Sequence, residues 1–174
     1  MAAGLLPSDG YARTRGVAQQ AARLARARRL DRAGRARLLA AAWLHDVGAA
    51  LGPGLPSLEG GRALRRAGHE PIARLVAHAG FAELAAALSG LPPVVREFPR
   101  PRPPDDALLL LLDVAVATTA DDGARATPVA VLRDLVRRGD PGGTAVRVRV
   151  AMVARLGNDP EARLLVERVA APPA

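Results

Sequence analysis

Leu38-Leu39-Ala40-Ala41-Ala42-Trp43-Leu44-His45-Asp46-Val47-Gly48 is the stretch on which the reading of this chain turns. Every residue from Leu38 to Leu44, and Val47 beyond, is small or apolar, and together they flank one imidazole and one carboxylate with no obvious charge partner nearby in sequence. A carboxylate in apolar surroundings is costly unless it is paired, hydrogen-bonded or bound to a cation. A neutral imidazole nitrogen beside a carboxylate oxygen suits a divalent ion such as Mn, Fe, Mg or Zn. The bland alternative is a helix that ends on a His, with the Asp in its last turn.

Outward from this stretch the periodicity is helical almost throughout. A first helix is predicted from about Ser8 to Leu30, with Val17, Ala21, Leu24 and Ala25 on one stripe. Asp31 is suited to cap the helix that carries Leu38, Leu39, Ala42 and Trp43 to His45-Asp46, and Gly48 followed by Gly52-Pro53-Gly54 ends it. Ser57 is read as the cap of a helix through Arg65 or Arg66. Pro71 belongs to the first turn of another, Glu70 to Ala79, stopped near Gly80, and Phe81 to Leu88 forms one more. Residues 92 to 104 hold Pro92, Pro93, Pro99, Pro101, Pro103 and Pro104, and are predicted to be an extended connector. Asp105 or Asp106 then caps a helix from Ala107 to Thr119, apolar all round and therefore buried. Asp121-Asp122-Gly123 and Pro141-Gly142-Gly143 read as turns. Thr127-Pro128 and Asp159-Pro160 each pair a capping side chain with a first-position proline, opening a helix that ends near Arg138 and the last helix of the chain. Thr144 to Leu156 is read as helix, although Val146, Val148 and Val150 alternate with Arg147 and Arg149 as a strand would. The expectation is an all-α bundle of seven to nine helices, without internal repeats.

The 174 residues fit one domain with a real core, and 49% hydrophobic against 24% charged residues is a globular balance. No run is expected to reach membrane-crossing length; the longest, Ala107 to Leu112, is stopped by Asp113. Met1 to Leu6 lacks a basic leader followed by an apolar segment, so a cytoplasmic location is the expectation. With no Cys, disulfides and zinc-thiolate sites are excluded. Net charge is +8 and all 25 positive residues are Arg, a pattern that GC-rich coding explains most simply. The densest stretch holds Arg13, Arg15, Arg23, Arg26, Arg28, Arg29, Arg32, Arg35 and Arg37, which would serve phosphate contacts. The only aromatics, Tyr11, Trp43, Phe81 and Phe98, are poor material for stacking bases. Ser8, Ser57 and Ser89 have no His and acid arranged nearby as a nucleophile requires, and no phosphate-loop motif follows the Gly-rich turns.

A buried apolar helix ending in His-Asp-Val-Gly resembles the central motif of the HD-domain superfamily, whose members are mostly metal-dependent phosphohydrolases. The resemblance covers roughly residues 8 to 140, leaving 141 to 174 as a C-terminal helical extension packed on the same domain. It implies a helical bundle holding a divalent ion between a first His, the adjacent His-Asp and a distant Asp. His45 and Asp46 match directly, as metal ligands and catalytic residues. Where the family's first-helix segment is of the type His-Ser-x-Gly-Val-Ala, this chain has Arg13-Thr14-Arg15-Gly16-Val17-Ala18, so Arg13 stands at a ligand position. Where the family has Ala-Asp-Met-Thr-Thr before an Asp-Gly turn, the chain has Ala115-Val116-Ala117-Thr118-Thr119, so Val116 replaces the carboxylate. A guanidinium has no lone pair to donate and stays charged. Asp113, one turn before Val116, is placed either to reach a displaced ion or to pair with an Arg such as Arg13. Val76-Ala77-His78-Ala79 resembles the Val-Ala-His-His segment of two-metal members, which makes His78 a further candidate ligand. His69, beside Pro71, is expected at a helix start and away from the site.

Three functions stand open at this point. The first is a phosphohydrolase relative whose catalysis is weakened or lost with its ligands, binding a ligand or partner through the old cleft, with an Arg–Asp pair in place of metal. The second is an active phosphate-ester hydrolase with a rebuilt metal site on His45, Asp46, His78 or Asp113, acting on a phosphorylated small molecule or nucleotide. The third is an Arg-rich helical nucleic-acid binder.

Overall fold

The computed structural model describes residues 8–52, 54–138 and 142–170. The leader reading of Met1 to Leu6, Pro53 of the Gly-Pro-Gly turn, Pro141, and the division between residues 140 and 141 lie outside the described residues.

The capping signals place the helices. Asp31 accepts a hydrogen bond from the Gly34 amide at 2.7 Å and opens α2 (Arg32–Leu44), which follows α1 (Ser8–Ala27). The Thr127 hydroxyl accepts from the Ala130 amide at 3.2 Å ahead of α8 (Pro128–Arg138). Asp159 accepts from the Glu161 and Ala162 amides at 2.9 and 3.1 Å ahead of α10 (Pro160–Ala170). Each side chain satisfies amides that the first helical turn leaves without an acceptor. Between these lie α3 (Pro56–Arg66), α4 (Glu70–His78), α5 (Ala82–Leu88), the single turn α6 (Val94–Glu97), α7 (Asp105–Ala117) and α9 (Thr144–Asn158). The protein is all-α: among the described residues there are nine helices of seven residues or more and no strand, only an isolated bridge between Thr119 and Arg125.

Several local expectations need correction. Ser57 does not cap α3; Pro56 takes its first position and Ser57 lies inside the first turn. Neither Asp105 nor Asp106 caps α7, which begins at Asp105 after Pro104 and ends at Ala117. The proline connector is interrupted by α6, where Pro93 supplies the extended entry and Glu83 accepts the Val94 and Val95 amides at 2.9 and 2.7 Å. Trp43 is 37% exposed rather than buried, resting against Tyr11 with ring centroids 6.3 Å apart. The segment 144–158 is helix as expected, because amphipathic burial of Val146, Met152 and Leu156 overrides the β-branched alternation. One stretch does meet membrane-crossing length and composition, Glu70–Leu88. The chain breaks it at Ala79–Phe81, where Gly80 and Phe81 adopt φ of 65° and 62°, and α4 and α5 diverge.

The expected stripe of α1 is fully realised: Val17, Ala21, Leu24 and Ala25 are buried. α1 packs on α2 and α7, α2 also on α4 and α7, and α3 lies along α4. α9 sits against α8, α5 and α7, and α10 returns to α7 and α1, so Met152, Leu156, Ala162, Leu165 and Val169 join the same core as Leu38, Leu75, Leu112 and Val114. The central member is α7, whose Leu108, Leu111, Leu112, Val114, Ala115 and Val116 are all buried.

Candidate functional site

His45 follows the last residue of α2 and is 5% exposed. Its Nδ1 lies 2.9 Å from the carbonyl of Ala42. A carbonyl only accepts, so Nδ1 donates to it, and Nε2 turns into the space between α1 and α2. Asp46, in the turn that follows, places Oδ2 2.9 Å from that Nε2. The chain then makes a tight turn, Val47–Ala50, against the start of α3. Only glycine fits at position 48, since a Cβ there would stand 1.9 Å from the Pro56 carbonyl oxygen.

Arg13 arrives from α1 and occupies the point at which His45 and Asp46 converge. Its Nη1 donates to Asp46 Oδ2 and lies 3.4 Å from His45 Nε2, so one guanidinium nitrogen faces both donors. A second carboxylate, Asp121, stands 3.7 Å from Arg13 Nε and is also paired with Arg138 at 2.7 Å. Asp121 is carried there by the Asp-Asp-Gly turn, which lies backbone to backbone on α1. A Cβ on Gly16 would meet the Gly123 oxygen at 2.3 Å, and one on Gly123 would meet the Ala12 oxygen at 2.2 Å. Burial alone would raise the Asp46 carboxyl, but His45 and Arg13 beside it outweigh that and hold it well below the ordinary carboxylate range.

These residues line one side of a cavity of about 560 Å³. Val116 of α7 lines it with a buried methyl surface where the resemblance implies a carboxylate. The opposite wall comes from α9: Thr144, Ala145, Val148, Arg149 and Met152. Arg149 donates to the Val116 carbonyl at 3.3 Å, and among the described residues no carboxylate lies within ion-pairing distance of it. Burial, reinforced by the nearby charge of Arg13, pushes its guanidinium down to about 10, with Asp121 and Asp46 opposing from further off. Pro56 and Ser57 at the start of α3 close the cavity, and the Ser57 hydroxyl is buried without a hydrogen-bond partner.

His78 and Asp113 do not join this site. They line a second cavity, of about 300 Å³, between α5, α7, α9 and the proline connector. His78 Nε2 donates to the Phe98 carbonyl at 2.7 Å, while its Nδ1 is buried with no hydrogen bond and 3.8 Å from Glu83. Burial lowers its affinity for a second proton. The Asp113 carboxylate accepts the Gly80 amide at 2.8 Å, and burial pushes it up to about 7. It forms no pair with Arg13, which is taken by Asp46 and Asp121. Three residues along a helix leave about 60° between side chains. That angle separates Asp113 from Val116, one turned to each cavity. His69, at the start of α4, is exposed.

A divalent ion does not fit this donor set. Nη1 of Arg13 lies against both Nε2 and Oδ2, which are themselves only 2.9 Å apart, and its charge opposes a second cation. Among the described residues, no three His, Asp or Glu side chains are grouped to hold a metal. Arg149 and Asp121 are the site residues that sequence reasoning missed. The helical reading of Thr144 to Leu156 puts Ala145, Val148, Arg149 and Met152 on one face, at spacings of three and four, but does not say which cavity that face lines. Comparison with protein-family models, with curated proteins and with solved structures gives no match for this chain.

Proposed function

We propose that this chain is a degenerate HD-domain-like protein in which an internal ion pair replaces a divalent ion, and that its cavity binds a ligand without hydrolysing it. The observation that carries the reading is Arg13 Nη1 placed against both Asp46 Oδ2 and His45 Nε2. A fixed internal cation neutralises the carboxylate as a metal would, but offers no open coordination position to activate water. The two changes coincide: a cation enters at residue 13, and a carboxylate is missing at Val116, so the charge of the site stays near balance.

Elemental analysis of the purified protein, with phosphate-ester turnover assayed under added Mn, Fe, Mg and Zn, tests this. The outcome in favour is metal well below stoichiometric and no turnover above background. Stoichiometric metal with turnover that His45→Ala abolishes favours the rebuilt hydrolase instead.

A second reading rests on the surface of α1 and α2. Arg15, Arg23, Arg26, Arg29, Arg32 and Arg35 are exposed and, among the described residues, have no carboxylate partner. Binding of nucleic acid through such guanidiniums must weaken steeply as salt rises. The absence of any binding at low salt excludes it.

A further inference from the structure

The cavity beside the Arg13–Asp46 pair is chemically lopsided. Most of its wall is apolar: Leu55, Ala82, Ala85, Leu135, Val148 and Met152. Its polar groups gather at one end. There Arg13 is already matched by Asp46 and Asp121, and His45 is tied to the Ala42 carbonyl. Arg149 is different. It is half-buried, donates only to a backbone carbonyl and to the Met152 sulfur, and has no carboxylate of its own. A desolvated guanidinium without a counter-charge is costly to keep unless something anionic arrives to meet it. The Ser57 hydroxyl, in the first turn of α3 at the end of the cavity, is buried without a hydrogen-bond partner.

The same end also limits how much negative charge fits. Asp46 and Asp121 both line the cavity, so a single added charge is balanced by Arg149, whereas a phosphate dianion or a polyphosphate meets two carboxylates. A volume of about 560 Å³ is in the range that encloses a small organic molecule.

From this arrangement we infer that the cavity holds an amphiphilic monoanion, a carboxylate on an apolar body, with its head on Arg149 and its body along α5, α8 and α9. This rests on the metal-free reading of the same site and gives it a ligand class other than phosphate esters. Arg149 grips the head through paired N–H donors, and Arg13 stays engaged with Asp46 throughout.

The experiment is calorimetric titration of the full chain with decanoate below its micellar concentration, alongside decanol, inorganic phosphate and a nucleoside monophosphate. Decanoate is expected to bind about tenfold or more tighter than decanol, and neither phosphate compound is expected to compete. Arg149→Met keeps the stem but removes the head, and is expected to bring decanoate down to the level of decanol. Ala145→Trp, at an exposed position on the cavity rim, is expected to weaken both ligands and leaves the charge untouched. The inference is overturned if decanoate and decanol bind alike, if Arg149→Met leaves the preference for decanoate intact, or if phosphate compounds displace it. Elemental analysis on the same preparation separates the two levels. Stoichiometric metal overturns the underlying reading, whereas metal-free protein with no preference for decanoate overturns this inference alone.

Discussion

Replacing Arg13 by methionine keeps most of the side-chain stem and removes the charge that faces His45 and Asp46. The size of the effect follows from the burial of the pair: the Arg13 side chain is 18% exposed and that of Asp46 30%. At such a partly wet position an effective dielectric near 20 makes the attraction about 4 kcal/mol at contact, before desolvation of both groups is subtracted. We expect Arg13→Met to cost about 2–3 kcal/mol, because it strands a half-buried carboxylate beside a His that lacks its other neighbour. Asp46→Asn costs less, about 1 kcal/mol, since Arg13 keeps Asp121 at 3.7 Å. The double-mutant cycle should then give a coupling of about 1.5 kcal/mol. Urea unfolding at pH 7 reads these values directly, and thermal unfolding should drop by about 4–12 °C for Arg13→Met. The sign with pH is fixed as well. The folded-state Asp46 carboxyl lies below its ordinary value, so its stabilisation is complete above about pH 4 and fades as pH falls further. The gap between wild type and Arg13→Met should therefore narrow as pH falls below about 4. A coupling under about 0.5 kcal/mol, or an Arg13→Met protein as stable as wild type at pH 7, refutes the idea that this ion pair organises the site.

Asp113 should give the opposite pH signature. Burial raises its carboxyl from an ordinary 3.8 to about 7, so folding takes up a proton between those values and stability falls as pH rises through that window. Asp113→Asn keeps an oxygen for the Gly80 amide and is expected to gain about 1–2 kcal/mol at pH 8 and nothing at pH 3.5, as measured by urea unfolding at both. No gain at pH 8 contradicts the assignment. Gly48→Ala forces the backbone at Pro56 and Gly60 apart, since the new Cβ would lie 1.9 Å and 2.5 Å from their main-chain atoms. A loss of about 3 kcal/mol is expected, and a thermal midpoint within 2 °C of wild type contradicts the close approach. Arg13→His combined with Val116→Asp restores the two donors that the family resemblance implies. The double variant should retain stoichiometric Mn or Fe after desalting, whereas wild type should not. Failure to gain metal in a folded double variant speaks against a common geometry with HD-domain sites.

The structure divides between two cavities the residues that the motif likeness groups together. His45, Asp46, Arg13 and Val116 come together from α1, α2 and α7, three helices whose faces are marked by strong apolar stripes. His78 and Asp113 were assigned by a short tetrapeptide likeness and by helical spacing. Neither controls the direction in which α4 leaves the core or the left-handed step at Gly80 and Phe81 that redirects it. The Arg13–Asp46 pair, one of the alternatives open at the level of sequence, is the one the packing realises, and Asp121 is added to it by a turn that looked like a simple connection.

What the amino-acid order determined by itself was local: the helical class, the starts at Asp31, Thr127 and Asp159, and the buried stripe of α1. Each of these depends on interactions within a few residues, an Asp or Thr oxygen on a nearby amide or an apolar residue every third or fourth position. The tertiary structure alone decided that Arg149 lines the cavity, that Asp121 reaches Arg13, and that Asp113 turns away from Val116. Those outcomes depend on how helices distant in sequence are rotated against each other. Each residue advances a helix by 100°, so a small change in packing moves a side chain from one cavity to the next. Periodicity settles which face is buried, but the partner that a charged group finds there is set only when the faces meet.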